Sequence, residues 1–143
     1  MLMKPSAASA YLVLVSGLLL KYVLMIAIQG VQRKRRGVFR WPEDAACWRG
    51  QVQTEDAWVE RAQAVLRNDS ESQPLFLAAS AAWIALGADA ALALGVCSAY
   101  VATRWLHAYW LLLPRQPQRT RVFGLALACL LLVLFDLGRS LWG

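Results

Sequence analysis

The sequence has few of the residues that bind metal ions. It contains a single histidine, His107, and three cysteines, Cys47, Cys97 and Cys129, far apart along the chain. A structural zinc site needs four cysteine or histidine ligands close together, usually in closely spaced pairs. The sequence therefore predicts no metal site. Two of the cysteines fall in apolar segments, and all three are expected to be reduced and inert.

Acidic and other charged residues are scarce as well. Nine Asp and Glu stand against fifteen Lys and Arg, and charged residues make up 17% of the chain whereas hydrophobic residues make up 59%. A soluble domain is usually about 45–50% apolar. The composition indicates a membrane protein that contacts membrane lipid, and no nucleic acid is expected as a partner.

Four hydrophobic stretches account for this composition, at about 9–28, 74–86, 90–113 and 122–141. A membrane-spanning helix needs roughly 20 mostly apolar residues. The second stretch is short and contains Pro74, so it is expected to span only as the continuation of a polar helix that begins near Asp56. The first is interrupted by Lys21 and lacks a cleavage site, which favours a spanning helix over a signal peptide.

These stretches predict one domain over residues 1–143, an all-α integral membrane four-helix bundle with helices at about 9–30, 56–86, 90–113 and 120–141. Small residues at 78–82 favour close packing between helices in lipid. The chain is too small for a transporter with two halves, and it is expected to oligomerise.

The positions of the basic residues predict the orientation. Eleven Lys and Arg lie in the first-to-second and third-to-fourth connections or beside them, and only Lys4 and Arg139 would lie on the opposite side. The positive-inside rule places the basic connections in the cytoplasm. A role limited to fixing the topology and touching anionic lipid would explain the basic residues at 33–36, but not the acidic residues mixed through the same connection.

The second predicted helix carries a polar stripe where it enters the bilayer. Positions three and four apart share a helix face, and this face holds Glu60, Ala64, Arg67, Asn68 and Glu71. Polar groups at that depth usually face a cavity or the bundle interior. Two interpretations stay open. The stripe could line a crevice for a small zwitterionic ligand with a carboxylate, or Arg67 and Glu71 could form an ordinary i,i+4 ion pair.

The third-to-fourth connection presents an arginine at the mouth of the bundle. Pro114 and Pro117 end the third helix, Thr120 could cap the fourth, and Arg119 lies beside that helix N-terminus. A cation and a helix N-terminus both favour a thiolate over a thiol. Interfacial snorkelling is the alternative role for Arg119 or Arg121.

Taken in order, these residues resemble the MAPEG family of membrane-associated proteins in eicosanoid and glutathione metabolism. The branch that they resemble most is that of microsomal glutathione transferase and microsomal prostaglandin E synthase. The resemblance covers nearly the whole chain and is specific as a set. The motifs that carry it are Trp41-Pro42-Glu43-Asp44, Glu60-Arg61, Arg67-Asn68-Asp69-Ser70-Glu71, Arg104 with His107, and Gln116-Pro117-Gln118-Arg119.

The resemblance implies a homotrimer that binds glutathione between neighbouring protomers on the cytoplasmic side. Arg119 matches the arginine that stabilises the glutathione thiolate, Asp44 matches a loop aspartate that assists it, and Thr120 stands where the synthase has serine. The residues that would hold the tripeptide are Arg33, Arg67, Asn68, Glu71 and His107.

Three departures from the family pattern concern this site. Ala64 stands where the branch has an arginine, a tyrosine expected one turn after His107 is absent, and Phe123 replaces an aromatic residue with a polar tip. These departures leave open which thiol the protein binds and which electrophile the thiol reacts with.

The resemblance implies a glutathione transferase or glutathione-dependent peroxidase that acts on a lipophilic electrophile or lipid hydroperoxide. A non-enzymatic lipid-binding or scaffold protein on the same fold is the alternative, and a small channel or efflux subunit is a third. The Ala, Leu, Trp and Arg bias favours a bacterial inner membrane, with the endoplasmic reticulum as the alternative.

Overall fold

The computed structural model describes residues 6–142 of the chain, with side chains described for residues 6–140. This part of the chain is mainly helical, as the sequence predicted. Its elements in order are α1 (Ala7–Arg36), β1 (Val38–Phe39), α2 (Pro42–Trp48), β2 (Gln51–Val52), α3 (Ala57–Ala85), α4 (Ala90–Leu112) and α5 (Gln118–Trp142).

The first helix, α1, continues past the predicted end at residue 30 to Arg36. It begins at a capping box in which Ser6 and Ser9 satisfy each other's backbone N–H groups. Its last turn holds four basic residues, which interact favourably with the negative end of the helix dipole. Gly37 ends the helix at a φ of 62°, a left-handed conformation that glycine adopts readily.

The connection between α1 and α3 has a structure that the sequence did not predict. β1 and β2 pair in parallel, with Val38 opposite Gln51, and enclose the short helix α2. Gly50 allows this pairing, because a Cβ there would lie 2.5 Å from the Phe39 ring and 2.6 Å from the Gly37 carbonyl oxygen. The connection is therefore a folded unit at the end of the helices.

The third helix, α3, begins at an Asp56 cap, whose carboxylate accepts a hydrogen bond of 2.8 Å from the Trp58 N–H. It runs without a break through Pro74. The polar segment and the second hydrophobic stretch are therefore one helix, which brings Ala64 and Asn68 of the polar stripe close to α4 and α5.

The four long helices pack closely through a few specific contacts. α1 packs against α3 and α4, and α5 packs against α4 and α3. The rings of Phe76 and Tyr100 stack with centroids 3.6 Å apart, and the Trp83 indole N–H donates to Asp136 across 2.8 Å. These contacts tie α3 to both α4 and α5.

Within the described residues, α1 and the Gln118–Ser140 part of α5 are long and apolar enough to cross a membrane. α3 is charged along its first half, and α4 carries Arg104 and His107. Membrane spanning by α3 and α4 therefore stays a prediction, because their polar residues lower the hydropathy of each helix.

The contact between α1 and α4 depends on the absence of a side chain at Gly17. A Cβ at this position would lie 2.6 Å from a Val101 methyl group, and the Gly17 carbonyl accepts a 3.0 Å hydrogen bond from the Trp105 indole. We expect Gly17→Leu to lower the free energy of unfolding by about 1–3 kcal/mol, because it forces the two helices apart.

Denaturation in increasing SDS, followed by circular dichroism, measures this effect. Gly30→Leu is the matched control on the same helix, because a Cβ at Gly30 would meet nothing within 4 Å. Equal unfolding midpoints for the two variants would contradict the proposed close contact.

Candidate functional site

A cluster of three charged side chains is buried between α1, α3 and α4. Lys21 is 0% exposed, Arg104 1% and Asp69 4%. One Asp69 carboxylate oxygen accepts from the Lys21 ammonium at 2.8 Å and from the Arg104 guanidinium at 2.7 Å. In the sequence, Lys21 and Arg104 are charged residues within hydrophobic stretches. The structure adds that they share one carboxylate.

This cluster fixes the orientation of a site residue. The Arg104 Nη2 that binds Asp69 also donates to the Asn68 side-chain oxygen. The Asn68 amide nitrogen is thereby left available to a ligand, because the oxygen is already used. A residue on α4 thus sets which end of the Asn68 amide is available.

Two adjoining cavities lie between α3, α4 and α5. The first, here called the polar cavity, has a volume of about 380 Å³ and is lined by Ala64, Asn68, His107, Leu111, Arg119, Thr120 and Phe123. The second, the apolar cavity, has a volume of about 260 Å³ and is lined by Asn68, Glu71, Ser72, Leu75, Tyr100, Arg104, Phe123, Ala126, Leu127 and Leu130. Asn68 and Phe123 form the boundary between them.

The polar cavity brings together four of the predicted site residues, Asn68, His107, Arg119 and Thr120. They come from three helices, α3, α4 and α5. His107 is only 6% exposed, and its Nδ1 has no hydrogen-bond partner among the described residues. The His107 ring therefore keeps a free polar atom beside the cavity.

Gln116 holds Arg119 in place, a role that the sequence did not reveal. The side-chain amide of Gln116 is oriented so that its oxygen and its nitrogen both have hydrogen-bond partners. The oxygen accepts from Arg119 Nη2 at 2.7 Å and from Arg119 Nε at 3.1 Å. Its nitrogen donates to the Thr120 hydroxyl at 3.0 Å. One glutamine thus orients both residues at the start of α5. The glutamine lies in a recognised motif, but its contacts depend on how the connection folds.

Arg33 lies outside both cavities and joins the end of α1 to the start of α3. Its guanidinium makes an ion pair of 2.6 Å with Glu55, and Glu55 also accepts from the Gln63 amide. Arg61 lies nearby and donates to the Leu111 carbonyl at 3.3 Å. These contacts place the end of α1, the start of α3 and the end of α4 at the same end of the molecule.

The other predicted site residues are exposed. Arg67 and Glu71 lie on the outer side of α3, although Glu71 also lines the apolar cavity. The described side chains form no Arg67–Glu71 ion pair. Asp44 is exposed on α2 and makes no hydrogen bond or ion pair with Arg119 in this part of the chain. A single chain therefore assembles the inner part of the predicted site, whereas Arg67 and Asp44 line neither of the two cavities.

The polar cavity has the properties of an anion site. It holds the Arg119 guanidinium, the Asn68 amide and the Thr120 hydroxyl. It also lies at the first turn of α5, where backbone N–H groups are unpaired and the helix dipole is positive. Among the described residues, no carboxylate lines it. The adjoining apolar cavity suits a lipophilic group, so the arrangement can bring a bound anion next to a lipophilic molecule.

The fold and the site define a helical membrane protein with a polar cavity, lined by an arginine, next to an apolar one. A family model for the MAPEG family matches residues 11–138. The chain therefore belongs to the MAPEG family, whose members include glutathione transferases and related enzymes and typically bind glutathione. None of the curated proteins compared with the chain matches it significantly.

Family membership confirms the resemblance at the level of the family, and with the apolar helices it confirms a membrane protein. The assignment to the glutathione transferase and prostaglandin E synthase branch stays a prediction.

Proposed function

We propose that this protein is a membrane-bound glutathione transferase or glutathione-dependent peroxidase. The observation that carries the proposal is the pair of adjoining cavities. Arg119, Thr120, Asn68 and His107 line the polar one, and the apolar one lies directly beside it. A glutathione thiolate at Arg119 would meet a lipophilic electrophile across the boundary at Phe123.

The reaction begins when the glutathione thiol releases its proton to water. The resulting thiolate is stabilised by the Arg119 guanidinium and by the N-terminus of α5. Each unit of lowered thiol pKa corresponds to about 1.4 kcal/mol of thiolate stabilisation. Gln116 supports this role by fixing the guanidinium before the ligand arrives, which reduces reorganisation during the reaction.

In conjugation, the thiolate attacks an electrophilic carbon, an S–C bond forms, and the leaving group departs with its electron pair. With a lipid hydroperoxide, the thiolate attacks the terminal oxygen and the O–O bond breaks. The lipid alkoxide takes a proton, and a second glutathione reduces the sulfenic product to give the disulfide and water. The protein contributes proximity and charge stabilisation in both reactions.

The exposed residues support a proposed homotrimer with glutathione between neighbouring protomers. Arg33, Arg67 and Glu71 would hold the charged ends of the tripeptide together with Asn68 and His107. Arg67 and Glu71 face outward on α3, which is where a neighbouring protomer could complete the site. Asp44, exposed on α2, would assist Arg119 across the same interface.

The second candidate function is a non-enzymatic lipid-binding or scaffold protein on the same fold. The observation that favours it is Ala64, which lines the polar cavity where the related branch has an arginine. One carboxylate contact is missing as a result. The Gln116–Arg119 arrangement favours the enzyme, because binding lipid alone needs no fixed guanidinium.

The proposed location is the bacterial inner membrane, with the site facing the cytoplasm; the endoplasmic reticulum is the alternative. The contacts of Arg33 and Arg61 bring the end of α1, with its four basic residues, to the start of α3 and the end of α4. The positive-inside rule then places this end in the cytoplasm.

We expect Arg119→Ala to lower glutathione conjugation of an aryl halide by about 10²-fold or more, because the thiolate loses its fixed cation. Arg121→Ala is the matched control, since Arg121 is exposed on the same helix and lines neither cavity. It should keep wild-type turnover. Gel filtration checks that both variants keep their oligomeric state, and unchanged turnover in Arg119→Ala would exclude the proposed enzyme.

Ala64→Arg should tighten glutathione binding about tenfold, because a charged hydrogen bond to a carboxylate contributes about 1.5–3 kcal/mol. Titration calorimetry in detergent measures the dissociation constant. Ala64→Leu fills a similar part of the cavity without a charge, and it should leave binding unchanged or weaken it. An equal effect of the two substitutions would show that Ala64 does not mark a missing contact.

Cys47 reports the orientation of the chain. It is exposed on α2, whereas Cys97 is buried and Cys129 is partly buried in the apolar helices. A membrane-impermeant maleimide should label the protein in inverted inner-membrane vesicles and not in intact spheroplasts. Cys47→Ser should remove the label. Labelling of intact spheroplasts would reverse the proposed orientation.

A further inference from the structure

The buried cluster of Lys21, Asp69 and Arg104 contains more positive than negative charge. Two cations share one carboxylate oxygen, so one positive charge remains. Among residues 6–140, no other charged side chain forms an ion pair with the cluster. A buried charge that is not neutralised costs several kcal/mol, and an anion bound nearby would offset this cost.

The excess charge borders both cavities. Arg104 lines the apolar cavity, and its Nε and Nη1 have no hydrogen-bond partner among the described residues. Its Nη2 holds Asn68, which lines both cavities. An anion at the boundary between the cavities would therefore lie close to this charge.

Lys21 determines whether that charge is available. Without Lys21, Asp69 and Arg104 would form a neutral pair. The negative charge of Asp69 would then largely cancel the positive field of Arg104 in the cavities. With Lys21 bound to the same oxygen at 2.8 Å, the negative charge of Asp69 is shared between two cations. Lys21 is 0% exposed and lines neither cavity, so it acts only through its neighbours.

We propose that Lys21 is a positioning residue for the anionic sulfur of glutathione, acting by neutralising Asp69 so that Arg104 keeps a positive field in the site. This inference rests on the proposed function. Other charged or titratable groups beside the cavities are Glu71 on α3, Tyr100 and His107 on α4, and Arg119 on α5. Glu71 opposes the effect, but it is exposed and screened by water.

A charge series tests the proposal with full-length protein in detergent. Lys21→Met leaves the cluster neutral, Asp69→Asn leaves it with two positive charges, and the double variant restores one. The probes are glutathione sulfonate, whose sulfur group is always anionic, and S-methylglutathione, whose sulfur is neutral. The ratio of their dissociation constants, measured by titration calorimetry, isolates the charge at sulfur from changes in packing.

In Lys21→Met, the affinity for glutathione sulfonate relative to that for S-methylglutathione should fall about tenfold from its wild-type value. This is the effect of removing one unit charge about 10 Å away at an effective dielectric constant of about 20. Asp69→Asn should shift the ratio in the opposite direction, and the double variant should return it to the wild-type value. Lys21→Arg keeps the charge and should keep the ratio.

Each outcome bears on the proposal. A ratio that is the same in Lys21→Met, Lys21→Arg and the wild type would overturn it and leave Lys21 a purely structural residue. These three proteins decide the question even if Asp69→Asn does not fold. Failure of the wild type to bind either probe would instead overturn the proposed function, and this inference with it.

Discussion

The structure depends on one carboxylate, Asp69, at the point where three helices meet. Its contacts with Lys21 and Arg104 join α3 to α1 and to α4. In a low-dielectric interior such contacts are strong, and each partner alone would be costly to bury. The cluster therefore fixes the rotation and depth of α3 relative to its neighbours. The position of α3 in turn sets where its cavity residues lie, among them Ala64 and Asn68.

The candidate site is built outward from this cluster. Arg104 orients Asn68, and Asn68 marks the boundary between the polar and apolar cavities. On the far side of the polar cavity, Gln116 orients Arg119 and Thr120. Two separate hydrogen-bonded groups thus face each other across one space. Both present donors to it, which is why the arrangement favours an anion over a cation or a neutral ligand.

The sequence predicted the helical class from the hydrophobic pattern and the family from its motifs, because both can be read locally along the chain. It did not predict the carboxylate that Lys21 and Arg104 share. It did not predict β1 and β2, since two-residue strands leave no periodic pattern. The roles of Gln116 and Glu55 were also missed, because they depend on contacts made across helix ends. The assignment of Arg33 to the ligand stays a prediction, and the structure adds that Arg33 makes an ion pair with Glu55.

The distribution of exposed residues gives the proposed trimer a physical reason. One chain supplies a complete inner wall from Asn68, His107 and Arg119, but Arg67, Glu71 and Asp44 face outward. Charged side chains on the outside of a membrane protein are stable only where water or another protein meets them. Near the start of α3, a neighbouring protomer could meet both needs, by shielding these charges from lipid and closing the cavities. Assembly and ligand binding would then depend on the same residues.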